Sequence, residues 1–336
     1  MEPLVSVLIP FRNAASTLME ALQSIQSQSF TQFEVVAIDD GSEDRSPQIL
    51  QEVAERDGRM RLIRPGRIGL VAALNLGLSL CRAPFVARMD ADDIMHPQRL
   101  QLQYEFMLAN PDVSLVATMV EMFPPERVTE GYREYLRWQD SCLTPEEIRA
   151  EIYVEAPFVH PTVMFRKDRV VQIGGYRDGP FPEDYELWLR MCQAGCKMAK
   201  IPKRLLLWRD HPERLTRVDP RYSSEAFEEV RARYLSLDPR VRGPRDVVIW
   251  GAGRRTRQRA KLLMGLGVRP KAWVDVDPKK IGKRIWGLEV KPPSWLARKE
   301  KPFVLVYVRT HGAREEIWKS LNSTGYAKGD DFLFVG

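Results

Sequence analysis

The chain has 336 residues, of which 44% are hydrophobic and 29% charged, a balance that suits one large or two ordinary globular domains and excludes a disordered or fibrous chain. No run reaches the ~18 uninterrupted apolar residues of a membrane-spanning helix, and the start, MEPLVSVLIPFRN, lacks the basic flank and small-residue cleavage site of a secretory signal, so a cytoplasmic protein is expected. The net charge of +6 favours an anionic partner, whether nucleotide, nucleic acid or phospholipid surface.

In chain order, residues 4–9 (LVSVLI) read as a β-branched strand that stops at Pro10, and NAASTLMEALQSIQSQSF follows with Leu18, Leu22 and Ile25 at helical spacing. FEVVAIDDGSEDRSPQILQEVAERD repeats the pattern: an apolar strand ends in Asp39 and Asp40, a Gly-Ser turn follows, and a helix begins near Ser46 and Pro47. MRLIRPGR supplies a third strand, GLVAALNLGLSLC a buried helix and PFVARMD a fourth strand. Such alternation predicts an α/β fold with a mainly parallel, doubly wound sheet, in which ligands bind beyond the carboxyl ends of strands. Both acidic clusters of the sequence fall there.

After residue 100 the pattern loosens. LTPEEIRAEIY carries a helix start, with Thr144, Pro145 and Glu147 in capping positions. PTVMFRK reads as a strand, PEDYELWLRMCQAG as a helix with Leu187, Trp188 and Met191 on one side, and RLLLWRDH as a further strand. Cys192 and Cys196 stand four apart with no other Cys or His near enough in sequence to complete a zinc site. All four cysteines suit thiols of a reducing compartment. A charged helical stretch from about Ser223 to Leu235 leads into DPRVRGPRD, read as a linker. A second α/β cycle then starts at DVVIWGAG and continues through RRTRQRAKLLMGLG, KAWVDVD and FVLVYV, so the predicted domains are 1–243, with a helical and linker end over about 216–243, and a small Rossmann-like domain over 244–336.

The strand FVAR ends in MDADD, which places Asp90, Asp92 and Asp93 within four positions. Capping of a following helix would use one carboxylate, Asp93, and leave two whose repulsion must be offset. A divalent cation, Mg²⁺ or Mn²⁺, offsets it directly, since such ions take hard oxygen ligands from one or two carboxylates and from substrate phosphates.

VSVLIPFRNAASTLMEALQSIQSQSF, EVVAIDDGSEDRS, MDADD, GGYRDGPFPEDYELWLRM and LLLWRDH occur in the order and setting of family 2 glycosyltransferases of the GT-A fold, which the first 215 or so residues resemble. That resemblance implies a nucleotide-sugar donor, a divalent metal and inversion at the anomeric carbon. Residue by residue it implies Asp92 as metal ligand, with His211 completing the metal shell, and Asp90 near the donor ribose. It implies Asp40, with Asp39 beside it, at the nucleobase, and Pro10 and Arg12 in the nucleoside-binding loop. Many relatives have Arg before the Asn of ALN, where this chain has Leu74 followed by Asn75, so Arg67 is the candidate for the phosphate contact and Asn75 completes the donor set. Asp184 matches the base that removes the acceptor proton, with Glu183 as its neighbour. His160 of FVHPTVMF either lies near the acceptor or packs structurally.

In the tail, VIWGAGRRT begins like a dinucleotide fingerprint with Asp275 near the ribose-acid distance, but Thr256 replaces the third glycine. Arg254, Arg255, Arg257, Arg259 and Lys261 crowd this helix start, either as a solvated face or as an anion or RNA contact. The whole-chain arrangement is similar to queuosine-tRNA galactosyltransferases, which implies UDP-galactose as donor and tRNA as partner. A lipid-linked or cell-surface glycan is the alternative acceptor, and a non-catalytic nucleotide-sugar or RNA-binding module the alternative of another class.

Overall fold

The computed structural model describes residues 2–309 and 312–336, which fall into two compact units. One comprises the residues up to Pro145 together with Phe158–Asp219, and the other comprises Glu146–Pro157 and Pro220–Gly336. No helix among the described residues is long and apolar enough to cross a membrane.

The first unit is built on eight strands: β1 (Val5–Phe11), β2 (Phe33–Asp39), β3 (Met60–Ile63), β4 (Phe85–Arg88), β5 (Ile94–Met95), β6 (Val113–Phe123), β7 (Met164–Arg166) and β8 (Lys197–Arg209). Their order is β3-β2-β1-β4-β7-β6-β8-β5. The first four strands are mutually parallel, β7 runs antiparallel between β4 and β6, and β8 lies parallel to β6. Every residue of β1, β2 and β4 is buried, which is why these segments read as continuous apolar runs rather than alternating ones. The chain steps outward from β1 to β2 and β3, then returns to the other side of β1 for β4. The order therefore reverses between β1 and β4, and the crevice beyond their carboxyl ends is where a doubly wound sheet binds its ligand.

Three details differ from the sequence reading. Pro10 does not stop β1, which continues to Phe11 with Pro10 in register with Ile38. MDADD is followed by the two-residue β5, and the next helix begins only at Arg99 behind Gln98, so Asp93 caps no helix. β6 lies within the stretch where the pattern loosened, its apolar run set off from the preceding helix only by Asn110, Pro111 and Asp112.

The second unit carries β9 (Val247–Trp250), β10 (Ala272–Val274), β11 (Arg284–Ile285), β12 (Leu288–Lys291), β13 (Phe303–Val306) and β14 (Phe332–Phe334), in the order β11-β12-β10-β9-β13-β14. Residues 220–243, read from sequence as the end of the first domain, pack within this unit. DPRVRGPRD is folded rather than a free linker: Asp238 caps the short helix Pro239–Arg242, pairs with Arg240 at 2.7 Å and accepts the Tyr153 hydroxyl at 2.9 Å.

The glycine turn after β9 explains what Thr256 does. Gly251 has φ +108°, and a Cβ there would meet Thr256 Oγ1 and Val308 Cγ2 at 3.0 Å. Thr256 thus fills the space a third glycine would leave open. Asp275 Oδ2 accepts the Ala252 N–H at 2.8 Å and pairs with Lys280 at 3.2 Å, so this carboxylate holds the turn.

Candidate functional site

The crevice of the first unit is assembled from loops that bond to one another before any ligand is considered. After β1 and β2 the chain is cross-linked by Asn13 N–H to Ser42 Oγ (2.9 Å), Ala14 N–H to Ser46 Oγ (2.8 Å) and Ala15 N–H to Asp44 Oδ2 (3.0 Å). Asp39 is buried and accepts the Ser42 N–H at 2.8 Å. Asp40 Oδ1 accepts the N–H groups of Ile68 and Gly69 at 2.6 and 2.7 Å, which ties the loop carrying Arg67 to the start of the helix Leu70–Leu80. Gly41 (φ +71°) allows the close approach there, since a Cβ would lie 2.9 Å from that of Arg67. Arg12 and Arg67 are exposed, Arg12 lying 4.0 Å from Glu43.

The ALN segment takes a different part. Leu74 is fully buried in the core, so the position offers no polar group to a phosphate. Asn75 spends both ends of its amide on one backbone residue: Nδ2 donates to the Tyr176 carbonyl at 2.8 Å and Oδ1 accepts the Tyr176 N–H at 2.9 Å. It clamps the loop that leads into the helix Glu183–Gln193.

At the end of β4, one ligand oxygen from each of Asp90, Asp92 and Asp93 lies within 4.8 Å of the others. Asp93 is 1% exposed, with Oδ1 accepting the Arg209 N–H at 2.8 Å and Oδ2 without a partner. Asp90 and Asp92 retain 32% and 29% of their side-chain surface at the cleft but are enclosed elsewhere. His211, just beyond β8, brings Nε2 to 2.8 Å from Asp92 Oδ2. Burial raises the Asp93 carboxyl well above the usual range, reinforced by Asp92 and Asp90, and burial also raises Asp90 against the pull of Arg88. Asp92 goes the other way: burial opposes its ionisation, but the His211 hydrogen bond and the charges of His211 and Arg214 hold it below the ordinary value. The three acids cannot all ionise comfortably without further positive charge. One buried, unpartnered carboxylate oxygen in a hard-oxygen cluster fits a divalent cation.

Arg88 and Arg209 are the cations that sequence reading passed over. Arg88 is 4% exposed and ion-pairs with Asp90, while its Nε finds no acceptor. Arg209 donates from Nε to the Asp92 carbonyl at 2.6 Å and ion-pairs with Glu20. A signal existed in each case, since a charged residue inside an otherwise apolar strand (FVAR, LLLWR) must find a partner when buried.

The acidic pair sits at the start of the helix Glu183–Gln193, where carboxylates oppose the positive helix end. Glu183 is 2% exposed, with Oε1 3.8 Å from Nδ1 of buried His160, whose Nε2 lies 3.0 Å from the Tyr176 hydroxyl. Asp184 is only half-buried. Burial, with the Glu183 charge adding, pushes the Asp184 carboxyl up to about 7. Burial and then Arg88 depress His160 well below the ordinary imidazole value, so it is neutral. In the tail, Arg254, Arg255 and Lys261 are exposed and Arg257 is half-buried, whereas Arg259 is turned to Glu228 at 2.6 Å.

The first unit thus carries an acidic triad at the switch point of a doubly wound sheet and, on the same unit, a carboxylate raised towards neutrality, an arrangement that suits a ligand site on an α/β scaffold. The Glycosyl transferase family 2 model matches residues 6–173, half of the chain, and the chain belongs to that family. It is 35% identical over 207 residues to the amylovoran biosynthesis glycosyltransferase AmsE of Erwinia amylovora, covering 60% of this chain and 74% of that one. It is 32% identical over 248 residues to the UDP-Gal:alpha-D-GlcNAc-diphosphoundecaprenol beta-1,3-galactosyltransferase of Escherichia coli, covering 69% and 82%. The solved structure of S. aureus TarS 1-349 in complex with UDP-GlcNAc superposes with TM-score 0.55 at 18% identity, covering 79% of this chain and 71% of that one, and supports the GT-A fold.

The Asn75 clamp has a direct consequence. Asn75→Ala leaves the Tyr176 N–H and C=O without their partner and is expected to lower stability by about 1–3 kcal/mol. Urea unfolding measures this, together with faster hydrogen exchange at the Tyr176 amide. Unchanged exchange there would mean the clamp is dispensable.

Proposed function

We propose that this glycosyltransferase is metal-dependent and inverting, and that it moves a sugar from a UDP-sugar, UDP-galactose in the first instance, to an acceptor hydroxyl. The observation that carries this reading is the placement of Asp92, His211 and the two flanking acids at one strand end, with Asp184 raised towards neutrality on the same unit. Asp92 and His211 would hold Mn²⁺ or Mg²⁺, with Asp90 turned to the donor. Such an ion, when bound, neutralises charge on a diphosphate leaving group. Pro10, Arg12, Asp39 and Asp40 line the nucleoside end of the crevice on this reading, and Arg67 and Asn75 border it.

Asp184 acts as the base. The acceptor oxygen attacks the anomeric carbon and gives its proton to the Asp184 carboxylate, while the carbon–oxygen bond to the diphosphate breaks with its electron pair. Glu183 stays inside, facing neutral His160, and raises the basicity of Asp184 through its charge.

The leading acceptor is a hydroxyl on a modified base of tRNA, supported by the net charge of +6 and by the exposed Arg254, Arg255 and Lys261 of the second unit. A lipid-linked glycan is the second reading, favoured by the name of the Escherichia coli relative. Incubation with UDP-galactose, Mn²⁺ and either queuosine-containing tRNA or a polyprenyl-diphosphate sugar, followed by mass spectrometry, separates them. A hexose added to tRNA digests supports the first. Transfer to the lipid alone replaces it with the second, and UDP-sugar binding without turnover on either points to a non-catalytic module.

The pH profile tests the base. Only ionised Asp184 accepts a proton, so kcat/KM for transfer is expected to fall as pH drops through about 7. Glu183→Gln removes the neighbouring charge, lowers the Asp184 value and is expected to shift that limb to lower pH by up to about one unit. A profile flat between about pH 5 and 8 would take the role away from Asp184.

A further inference from the structure

Of the two non-glycine residues with positive φ among the described ones, Asn13 and Trp286, only Trp286 is bulky. It stands at φ +53° before Gly287 at +79°, and these two residues close β11 onto β12, with Ile285 opposite Leu288. Two consecutive positive φ values are the geometry of a type I′ hairpin turn, whose first position is normally Asn, Asp or Gly. A tryptophan there strains the backbone, so the turn itself does not call for it.

Packing uses only part of the ring. Trp286 meets the fully buried Trp273 edge to face, with centroids 5.8 Å apart and planes at 68°, so Trp273 covers at most one face of it. Trp286 remains 50% exposed, and its indole N–H makes no hydrogen bond among the described residues. The support beneath is fixed: Trp273 Nε1 donates to the Ile285 carbonyl at 3.1 Å, and the Val290 N–H donates to the Lys283 carbonyl at 2.9 Å. Charge surrounds the ring. From Val276 to Lys291 five basic residues stand against two acids, and both acids are taken, Asp277 by Lys280 at 3.4 Å and Glu289 by Lys291 at 2.6 Å. Lys279, Lys283 and Arg284 are exposed, and their side chains have no hydrogen-bond or ion-pair partner among the described residues.

Exposed cations alone make an ordinary solvated face. Beside a half-open aromatic ring held in a strained turn they match one class of ligand, a single-stranded nucleic acid, which offers unstacked bases to the ring and phosphates to the cations. A duplex keeps its bases stacked on one another, and a neutral glycan gives the cations no role. We propose that the Trp286 hairpin is an RNA-binding surface, on which an unpaired base stacks against the indole while Lys283 and Arg284 meet the flanking phosphates. The proposal rests on the tRNA reading above and adds to it the element of the second unit that holds a single-stranded part of that RNA. Because β12 runs parallel to β10 and β10 to β9, the hairpin tip, which precedes Leu288, lies at the amino end of these strands. The glycine turn and Arg254 lie at the carboxyl end, so the two basic surfaces are separate.

Fluorescence anisotropy of a labelled ten-nucleotide single-stranded RNA and of labelled tRNA, each titrated with the full chain over a range of salt, tests the proposal. Trp286→Asn removes the ring and supplies a residue the turn favours, and is expected to weaken both affinities by about tenfold or more with the salt dependence unchanged. Trp286→Phe keeps a ring and is expected to stay within about threefold of the parent. Lys283→Ala with Arg284→Ala is expected to reduce the slope of log affinity against log salt by about 1.4, for two lost phosphate contacts. Equal affinities of parent and Trp286→Asn for both RNAs overturn the proposal, as does a Trp286→Phe variant as weak as Trp286→Asn. A parent that binds neither RNA overturns the tRNA reading together with this one. A parent that binds the oligonucleotide through Trp286 and never tRNA supports the surface and contradicts the tRNA reading alone.

Discussion

Three carboxylates crowd the end of one buried strand, and much of the first unit is arranged around their mutual repulsion. Asp90, Asp92 and Asp93 bring ligand oxygens within 4.8 Å of one another where burial already opposes ionisation. Around them stand Arg88, wholly inside the sheet, Arg209 gripping the loop from the end of β8, His211 on Asp92, and Arg214 lying against Trp208. The positive charge is distributed unevenly, and Asp93 Oδ2 is left buried without a hydrogen-bond partner. A native core leaves few such atoms without a purpose. On the reading proposed above, a divalent cation would satisfy that oxygen.

The topology makes this arrangement possible. β1 and β4 are neighbours whose following loops diverge, so the crevice between them receives the chain ends of both. β8 delivers Trp208, Arg209, His211 and Arg214 in one stretch, and the antiparallel β7 carries the chain back towards Asp184. Around the start of the helix Glu183–Gln193 the arrangement is set by local means: the Asn75 clamp holds the loop at Tyr176, and Glu183 is buried while Asp184 stays partly exposed. Two adjacent acids on one helix thus acquire different environments, Glu183 buried near His160 and Asp184 partly exposed.

Much of this was legible before any coordinates. Continuous apolar runs ending in paired acids pointed to parallel strands with a site at their carboxyl ends, and β1 to β4 lie within a residue or two of where periodicity places them. The family resemblance singled out Asp92 and His211, which meet in space across 119 positions. What could not be read were partners distant in sequence. Asn75 looked like a donor contact because its neighbours matched a motif, yet its amide is committed to Tyr176. Asp93 looked like a cap because a helix seemed to follow, whereas two residues of strand intervene. The segment 220–243 read as an ending because prolines and glycine mark linkers, while Tyr153 and Asp238 bond across 85 positions.

The central claim is that the acidic strand end binds a divalent cation and a nucleotide diphosphate as one unit. Calorimetric titration of UDP into the parent chain, first with Mn²⁺ and then after chelation by EDTA, tests it most directly. Chelation is expected to weaken UDP binding by at least about tenfold, or ~1.4 kcal/mol, and Asp92→Asn to abolish the difference between the two conditions. UDP binding equally tight in EDTA would contradict the claim.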